Sequence, residues 1–192
     1  MRNWHRIAIA IVAGLAVGAG GAWWRIQAGF NGGRLQNGQW ATALNYGTAN
    51  TDSATRAAVA LRGILALPSS ETVYWNATTD SDGRPLDGSC TYAMTGTPLD
   101  ARWWSVTYYD RKGFLVANPA NVWSFSGAAL TPEEQTGWRV AIGPAKPPSG
   151  HWLPSVKGQG FELTLRMYNP GPAFRAAPEK AALPALKREA CG

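Results

Sequence analysis

The sequence predicts a mainly β protein: an antiparallel β-sandwich with an N-terminal transmembrane helix and one additional short helix. Three observations support this prediction. An uncharged apolar run lies near the N-terminus, the apolar period changes from about 3.6 to two near residue 71, and turn residues then recur at intervals of roughly ten. Strands of this kind bury one face each, so they stack as layered sheets. No helices alternate with the strands, which excludes a parallel α/β sheet.

The chain divides into four segments. Residues 1–26 form a membrane anchor or signal, 27–70 a connector and a helix, 71–176 the β-sandwich, and 177–192 a tail. A length of 192 residues suits one such domain.

The net charge of +6 does not indicate a nucleic-acid-binding surface. Arg2, Arg6 and Arg25 supply half of it within the first 30 residues, which contain no acid. No Lys/Arg run follows that would track phosphates. We therefore attribute the positive net charge mainly to residues that flank a membrane segment, and we expect no nucleic acid as a partner.

The apolar run spans Ile7–Trp24 (IAIAIVAGLAVGAGGAWW), which makes about 27 Å of helix. Its length, together with Trp4 and Trp23-Trp24 at the two interfaces, favours a retained anchor. A cleaved signal peptide stays open, because Ala19–Ala22 offers a loose small-residue site, and so does a buried helix. Arg2 and Arg6 before the run favour a cytoplasmic N-terminus. We therefore expect a single-pass protein of the inner membrane with its globular part in the periplasm.

Residues 27–50 are rich in Gly, Asn and Gln and lack a period, so we expect a connector there. Thr51–Leu67 is predicted to be a helix capped by Thr51 or Asp52, because small and apolar residues up to Ile64 and Leu65 recur near period 3.6. Pro68 ends it.

Seven strands are predicted after the helix. They are Thr72–Thr78, Ser89–Met94, Arg102–Tyr109, Phe114–Ala117, Val122–Ser126, Gly137–Ile142 and Phe161–Tyr168. In the strongest strand, Trp104, Val106 and Tyr108 share one face. A hairpin turn at Asp110–Gly113 is expected to lead into the strand Phe114–Ala117.

The strand Phe161–Tyr168 alternates clearly. Phe161, Leu163, Leu165 and Met167 are expected to point inward, and Glu162, Thr164, Arg166 and Tyr168 outward.

The C-terminal residues 177–192 contain Pro178, Pro184 and several charges, which predicts a loosely held tail with a helical turn at Glu179–Leu183. Cys90 and Cys191 fit an oxidising compartment as one disulfide. Because Cys191 lies so near the end of the tail, the sequence slightly favours a buried, unbonded Cys90 and a frayed Cys191.

The sequence offers no complete catalytic or metal-binding set. His151 is the one candidate base beyond the apolar run, and no Gly-x-Ser-x-Gly motif accompanies it. Asp80-x-Asp82-Gly83 carries Arg84 where a calcium loop needs an oxygen ligand. We therefore predict no cofactor and no metal.

Aromatic residues are the main unexplained feature. The ones in the β region are Trp103, Trp104, Tyr108, Tyr109, Trp123, Trp138 and Trp152. Most are expected in the core, and a minority on one concave face can stack on a sugar, an aromatic ligand or another protein. Arg166 points away from the apolar side of its strand, either as an exposed or paired residue or as a bidentate grip for a carboxylate.

Three segments, taken in order, resemble a known family. They are Arg102–Asp110 (RWWSVTYYD) with Gly113–Pro119 (GFLVANP), then His151–Pro154 (HWLP), then Gly160–Tyr168 (GFELTLRMY). Their order resembles domain-of-unknown-function family 1214 over roughly residues 70–172. The matching positions are Trp104, Ser105, Thr107, Tyr109, Asp110, Asn118, Pro119, Trp152, Leu153, Pro154, Arg166, Tyr168 and Pro170. Pro85–Gly88 resembles the upstream part of the pattern.

The resemblance implies a jelly-roll-like antiparallel β domain and no established reaction. In many longer chains this domain follows a domain of family 1254, which implies a separate protein carrying a 1254-type domain as one candidate partner; the alternative is that the chain acts alone. His151 stands where the family has Asn, and Ser155-Val156 where it has Ala-Pro. These departures bear on any ligand contact by the loop at His151.

Together these features predict a membrane-anchored periplasmic binding or accessory module. The candidate ligand-binding residues are Trp104, Tyr109, Asp110, Asn118, His151, Trp152, Arg166 and Tyr168. The alternative is a hydrolase-like enzyme acting on a glycan or a small acidic substrate, with His151, Asp110 and Arg166 converging around Trp152. A structural module with a closed core is the third class. The sequence does not decide whether the protein is an enzyme.

Overall fold

The computed structural model of the chain describes residues 2–29, 34–61 and 66–192. It contains helices α1 (Arg2–Gly29), α2 (Ser53–Leu61) and α3 (Pro172–Ala176), and two β-sheets that share one core. The predicted mainly β architecture with an apolar N-terminal helix is confirmed.

In the described part of the chain, ten strands form the two sheets. They are β1 (Leu35–Asn37), β2 (Trp40–Thr42), β3 (Thr72–Ala77), β4 (Cys90–Gly96), β5 (Ala101–Asp110), β6 (Ser124–Ser126), β7 (Trp138–Gly143), β8 (His151–Pro154), β9 (Phe161–Pro170) and β10 (Ala185–Cys191). The larger sheet has the order β1-β2-β3-β9-β5-β6 and is antiparallel throughout. The smaller sheet has the order β10-β4-β7-β8, and its pair β7–β8 runs parallel, which departs from the purely antiparallel prediction.

Strand β9 is the centre of the larger sheet, because it pairs with β3 on one side and with β5 on the other. Alternate residues of the three strands form rows across the sheet that point into the core. The rows are Val73–Met167–Trp104, Trp75–Leu165–Val106 and Ala77–Leu163–Tyr108, all buried. The predicted inward faces of β5 and β9 are therefore correct.

Aromatic contacts join the two sheets. Trp104 of β5 stacks on Trp138 of β7 with ring centroids 4.9 Å apart, and Phe161 of β9 packs edge-on against Tyr92 of β4 at 5.7 Å. Phe161 also stacks on Tyr108 at 4.6 Å. Large aromatic groups fill the space between the layers of a small sandwich efficiently, which accounts for much of the aromatic content of the chain.

Helix α1 is long and apolar enough over Asn3–Ile26 to cross a membrane. Its apolar side chains, from Trp4 through Val17 to Trp24, are exposed rather than packed on the sandwich. The helix is therefore not a core element of the globular part.

The predicted strand Phe114–Ala117 is wrong. The turn before it forms as expected, since the Asp110 carboxylate accepts hydrogen bonds from the amides of Lys112 (2.8 Å) and Phe114 (2.9 Å). Beyond the turn the chain leaves the sheet, and β6 takes the place next to β5. The loop is closed instead by the Asn118 side chain, which exchanges hydrogen bonds with the backbone of Val122.

The described part of the predicted helix is shorter than Thr51–Leu67. Helix α2 begins at Ser53, and Asp52 caps it by accepting hydrogen bonds from the amides of Ala54 and Thr55. Residues 62–65, which include the predicted helical Ile64 and Leu65, lie outside the described residues. Residues 66–68 are not helical.

The expected loose tail and unbonded cysteines are also wrong. Strand β10 pairs with β4, its Leu186 is fully buried, and Cys191 forms a disulfide with Cys90. Pairing with β4, one buried side chain and one covalent bond hold a strand whose other residues are mostly exposed. A single helical turn forms at Pro178–Lys180, slightly before its predicted position.

Candidate functional site

The side of the larger sheet that faces away from the core collects most of its polar residues; we call it the outer sheet face. It is formed by the residues that alternate with the core rows. They are Thr72, Tyr74 and Asn76 of β3, Trp103, Ser105, Thr107 and Tyr109 of β5, and Glu162, Thr164, Arg166 and Tyr168 of β9. Five of them, Ser105, Thr107, Tyr109, Arg166 and Tyr168, belong to the family motif quoted above.

Arg166 is the centre of this face. It lies in one row with Tyr74 of β3 and Ser105 of β5. Its guanidinium carbon is 5.9 Å from the ring centroid of Tyr74 and 5.5 Å from that of Tyr109, so the cation lies between two aromatic rings. Its Nη1 donates to the Thr107 hydroxyl (3.1 Å) and its Nη2 to the Tyr109 hydroxyl (2.8 Å).

The surroundings of Arg166 are tightly packed. Tyr74, Ser105, Thr107 and Thr164 are buried although they point away from the core. Thr164 donates a 2.8 Å hydrogen bond to the Asn76 side chain. The amide of Leu67, beyond α2, lies 3.5 Å from the Tyr74 hydroxyl, so the segment after α2 borders the face on its β3 side. The side chains around Arg166 are therefore buried and rich in hydroxyl groups.

A second aromatic pair lies farther along the face. Trp103 and Tyr168 are opposite each other in register, with ring centroids 5.2 Å apart in an edge-on arrangement. Trp103 is 40% exposed and also lines a cleft of about 310 Å³ at the end of the sandwich, shared with Trp104 and Trp138. Aromatic surface therefore continues from the row of Arg166 to the next row on the same face of the sheet.

Trp104, Asp110 and Asn118 have structural roles. Trp104 is buried between Phe125 and Trp138 and touches solvent-accessible space at the cleft just described. Asp110 and Asn118 hold the turn and loop between β5 and β6 through backbone hydrogen bonds. Their polar groups are used locally, as carboxylates and amides in turns usually are.

His151 and Trp152 lie on β8, in the smaller sheet. His151 Nε2 is 3.0 Å from Glu134 Oε2, and its ring is 4.8 Å from that of Phe125. A hydrogen bond with the His151 side chain lowers the pKa of Glu134, and a hydrogen bond from the amide of Thr131 lowers it further. Trp152 donates its indole N–H to the carbonyl of Gly143 (2.9 Å). The expected loop at His151 is thus a strand.

The three residues of the hydrolase alternative engage three separate sets of partners. His151 contacts Glu134, Asp110 contacts its own turn, and Arg166 contacts Thr107 and Tyr109. These three side chains share none of these partners, so the contacts give no support to the convergence around Trp152, which stays a prediction. Of the sequence-predicted candidates, Tyr109 and Arg166 are brought into contact, with Tyr168 beside Arg166 on the same strand face.

Sequence reasoning missed Tyr74 and Asn76 as members of this face. The signal was present in Thr72–Ala77 itself, since residues that alternate with Val73, Trp75 and Ala77 must point the other way. Within residues 2–29, 34–61 and 66–192, no group of three or more His, Cys, Asp or Glu side chains is arranged to hold a metal ion.

Comparison with solved structures finds a protein with a similar fold. The VPA0106 protein from Vibrio parahaemolyticus is 22% identical, with a TM-score of 0.59 over 71% of this chain. This chain spans 35% of that protein, about a third of its length. An uncharacterized protein from Burkholderia cenocepacia is 12% identical, with a TM-score of 0.46 over 62% of this chain and 29% of its own. No curated protein matches the chain.

The family model described as protein of unknown function (DUF1214) matches residues 71–172, which run from the residue before β3 to the start of α3 and include the whole central part of the outer sheet face. More than half of the chain is covered, and the motif residues at Arg166 lie within the match. The chain therefore belongs to the DUF1214 family.

Proposed function

We propose that this protein is a membrane-anchored binding module whose globular part lies in the periplasm and whose ligand site is the outer sheet face. One observation carries the proposal. The alternating residues of β5 and β9 divide into an apolar set that fills the core and a polar and aromatic set that gathers around Arg166. Tyr109, Arg166 and Tyr168 are the proposed ligand-binding residues.

The exposed apolar surface of α1 supports the membrane anchor. The isoleucines, valines and tryptophans of this helix are exposed, and moving such apolar surface from water into a lipid phase lowers its free energy. Trp4 at one end and Trp23-Trp24 at the other suit the two interfaces of a bilayer.

The Cys90–Cys191 disulfide supports the periplasmic location. Such bonds persist in oxidising compartments and are rare in the cytosol. The charges of Arg2 and Arg6 before the apolar run favour the same orientation, with the N-terminus in the cytoplasm.

A separate protein carrying a 1254-type domain is the proposed protein partner. The family resemblance supports this partnership, because in many longer chains a 1254-type domain precedes the 1214-type domain. Purification of the full chain from solubilised membranes of its own host tests this point. Recovery of a 1254-type protein in a stoichiometric amount is expected, and its absence from the purified complex would contradict the partnership.

Spheroplast proteolysis tests the anchor and the orientation. We expect the full chain to stay in the membrane after a carbonate wash and to lose its globular part when protease is added to intact spheroplasts. Release by carbonate, or protection until the spheroplasts are lysed, would contradict the proposal. N-terminal sequencing of the membrane form separates an anchor from a cleaved signal.

A ligand screen by thermal shift tests the binding face, with the full chain kept in mild detergent. Compounds that raise the melting temperature of the wild type are expected to lose that effect in Tyr168→Ala. They should keep it in the control Phe114→Ala, whose side chain is 67% exposed in the loop after β5. Equal shifts in all three proteins would place the binding elsewhere.

A further inference from the structure

The geometry points to Arg166 as the anchor for a small organic carboxylate, an inference that rests on the proposed role of the outer sheet face as a ligand site. The class of ligand follows from three properties of the guanidinium: its N–H donors, its charge, which no carboxylate of the described residues pairs with, and the aromatic rings beside it.

The guanidinium of Arg166 has donors to spare. An arginine carries five N–H groups in a planar fork, and the described residues accept two hydrogen bonds from this one, at the hydroxyls of Thr107 and Tyr109. Both partners are neutral. The remaining N–H groups of this half-buried side chain can donate to a ligand, and a carboxylate matches the fork with two parallel hydrogen bonds.

The charge of Arg166 is also uncompensated within the part of the chain that the structure describes. The guanidinium stays ionised at any physiological pH. No carboxylate oxygen of the described residues lies within 4.0 Å of its nitrogens, in contrast with Arg84, Arg139 and Arg188, which each pair with an acid. Glu162, the acid on the same face, stands opposite Tyr109 in register. A partly desolvated cation without a counter-ion favours an anion from outside.

The aromatic rings beside Arg166 favour an organic anion over an inorganic one. The rings of Tyr74 and Tyr109 flank the cation at 5.9 and 5.5 Å, and Trp103 with Tyr168 continues the aromatic surface along the sheet. Aromatic faces gain from contact with apolar or flat groups. A carboxylate joined to such a group uses both the charge and the rings.

The test compares benzoate, benzamide and phenylphosphonate on the full chain in nanodiscs. Binding is followed by NMR through the Arg166 Nε–H signal, with empty nanodiscs as the blank. Benzoate is expected to bind saturably and at least tenfold more tightly than benzamide, which has the same ring and no charge. Phenylphosphonate, the phosphoryl analogue, is expected to bind more weakly than benzoate.

Variants locate the site. Arg166→Lys keeps the charge and loses the planar fork, so the affinity for benzoate should fall at least tenfold. Because this variant lacks the Arg166 Nε–H signal, its benzoate binding is followed through the other NMR signals that benzoate perturbs. The matched control is Arg139→Lys on β7, where the guanidinium already pairs with Glu189 at 2.8 Å, and its benzoate affinity should equal that of the wild type. Should Arg166→Lys not fold, Tyr109→Phe, which removes the acceptor of Nη2, is expected to weaken benzoate binding several-fold.

Three outcomes would overturn the inference: equal binding of benzoate and benzamide, tighter binding of phenylphosphonate, or unchanged benzoate affinity in both Arg166→Lys and Tyr109→Phe. A neutral compound whose thermal shift depends on Tyr168 would support the outer sheet face as the ligand site and contradict a carboxylate as the ligand. The two proposals therefore fail separately.

Discussion

Cys191 is disulfide-bonded to Cys90 across a sequence separation of 101 residues, and the two residues are direct partners in the register of β10 and β4. The bond fastens the edge strand of the smaller sheet at the end where its exposed residues supply little packing. Leu186, at the other end of β10, is fully buried. The strand is thus held at one end by burial and at the other by a covalent bond.

Replacing Cys191 by Ser should lower the free energy of unfolding by about 2–4 kcal/mol, because the cross-link closes a long loop in the unfolded chain. Urea unfolding of the full chain in mild detergent, followed by tryptophan fluorescence, measures the loss. Wild-type protein with reductant serves as the control and should match the variant. A wild type that is equally stable with and without reductant would contradict the prediction.

Strand β10 shows why some of the fold was not predictable from the sequence. Its residues ALKREAC contain one fully buried apolar side chain, and the alternation that reveals β5 and β9 is missing. An edge strand is specified by its neighbour β4 and by the disulfide, both about 90 or more residues away. A local pattern carries no information about such partners.

Asp80 is a buried carboxylate that joins the turn after β3 to β10. Its side chain is 0% exposed, with Nε of Arg84 and Nε of Arg188 each 3.1 Å away. Burial alone would raise the pKa of Asp80, but hydrogen bonds from the amides of Arg84 and Asp82 and from the Arg84 side chain hold it below its ordinary value of 3.8. The ionised form is therefore the one that the fold stabilises.

Asp80→Asn should cost about 2–4 kcal/mol at pH 7, since it leaves two arginines without their buried partner. A depressed pKa contributes stability that is fully present above the unfolded-state value and is lost as the pH falls through the folded-state value. The gap between wild type and variant should therefore shrink below pH 3.8. Urea unfolding at a series of pH values measures it.

Asp82→Asn is the matched control for Asp80. The Asp82 side chain is 66% exposed and pairs with the same Arg84, so its loss should cost under about 1 kcal/mol. Equal losses in the two variants, or an Asp80→Asn gap that stays constant from pH 7 to pH 3, would contradict the assignment.

Phe161→Ala should cost about 3–5 kcal/mol, because the ring fills the space between the sheets against Tyr92 and Tyr108 and its removal leaves a cavity. Phe114→Ala removes the same side chain from an exposed loop position and should change the stability by under about 0.5 kcal/mol. Thermal and urea unfolding compare the two. Similar effects from both would mean that Phe161 does not bridge the layers.

The site was predictable in part. Alternation along β9 correctly placed Arg166 and Tyr168 on the outer side, but Thr107 and Tyr109 meet Arg166 only because β5 pairs with β9 in one particular register. Register depends on the packing of both faces together. The same limit explains the wrong strand at Phe114–Ala117. The sequence indicated the turn at Asp110–Gly113, but it did not show that β5 pairs with Ser124–Ser126 rather than with the residues directly after the turn.

Gly88, the last residue of the Pro85–Gly88 motif, is required for packing rather than for ligand binding. A Cβ atom there would lie 2.0 Å from the carbonyl oxygen of Val156. The Gly88 amide donates to the carbonyl of Gln159 (2.8 Å), and its own carbonyl accepts from the Ser155 hydroxyl (2.7 Å). The segment before β4 is thus hydrogen-bonded closely to the connection between β8 and β9, with no room for a side chain.

Gly88→Ala should therefore cost about 2–4 kcal/mol, because a methyl group forces two hydrogen-bonded backbones apart. Gly137→Ala is the control, since Gly137 has extended backbone and nothing within 4 Å of the added Cβ; its stability should stay within about 1 kcal/mol of the wild type. Urea unfolding of both variants decides the matter. If Gly88→Ala were as stable as Gly137→Ala, the close approach of Gly88 to Val156 would not exist in solution, and the glycine of the Pro85–Gly88 motif would need a different explanation.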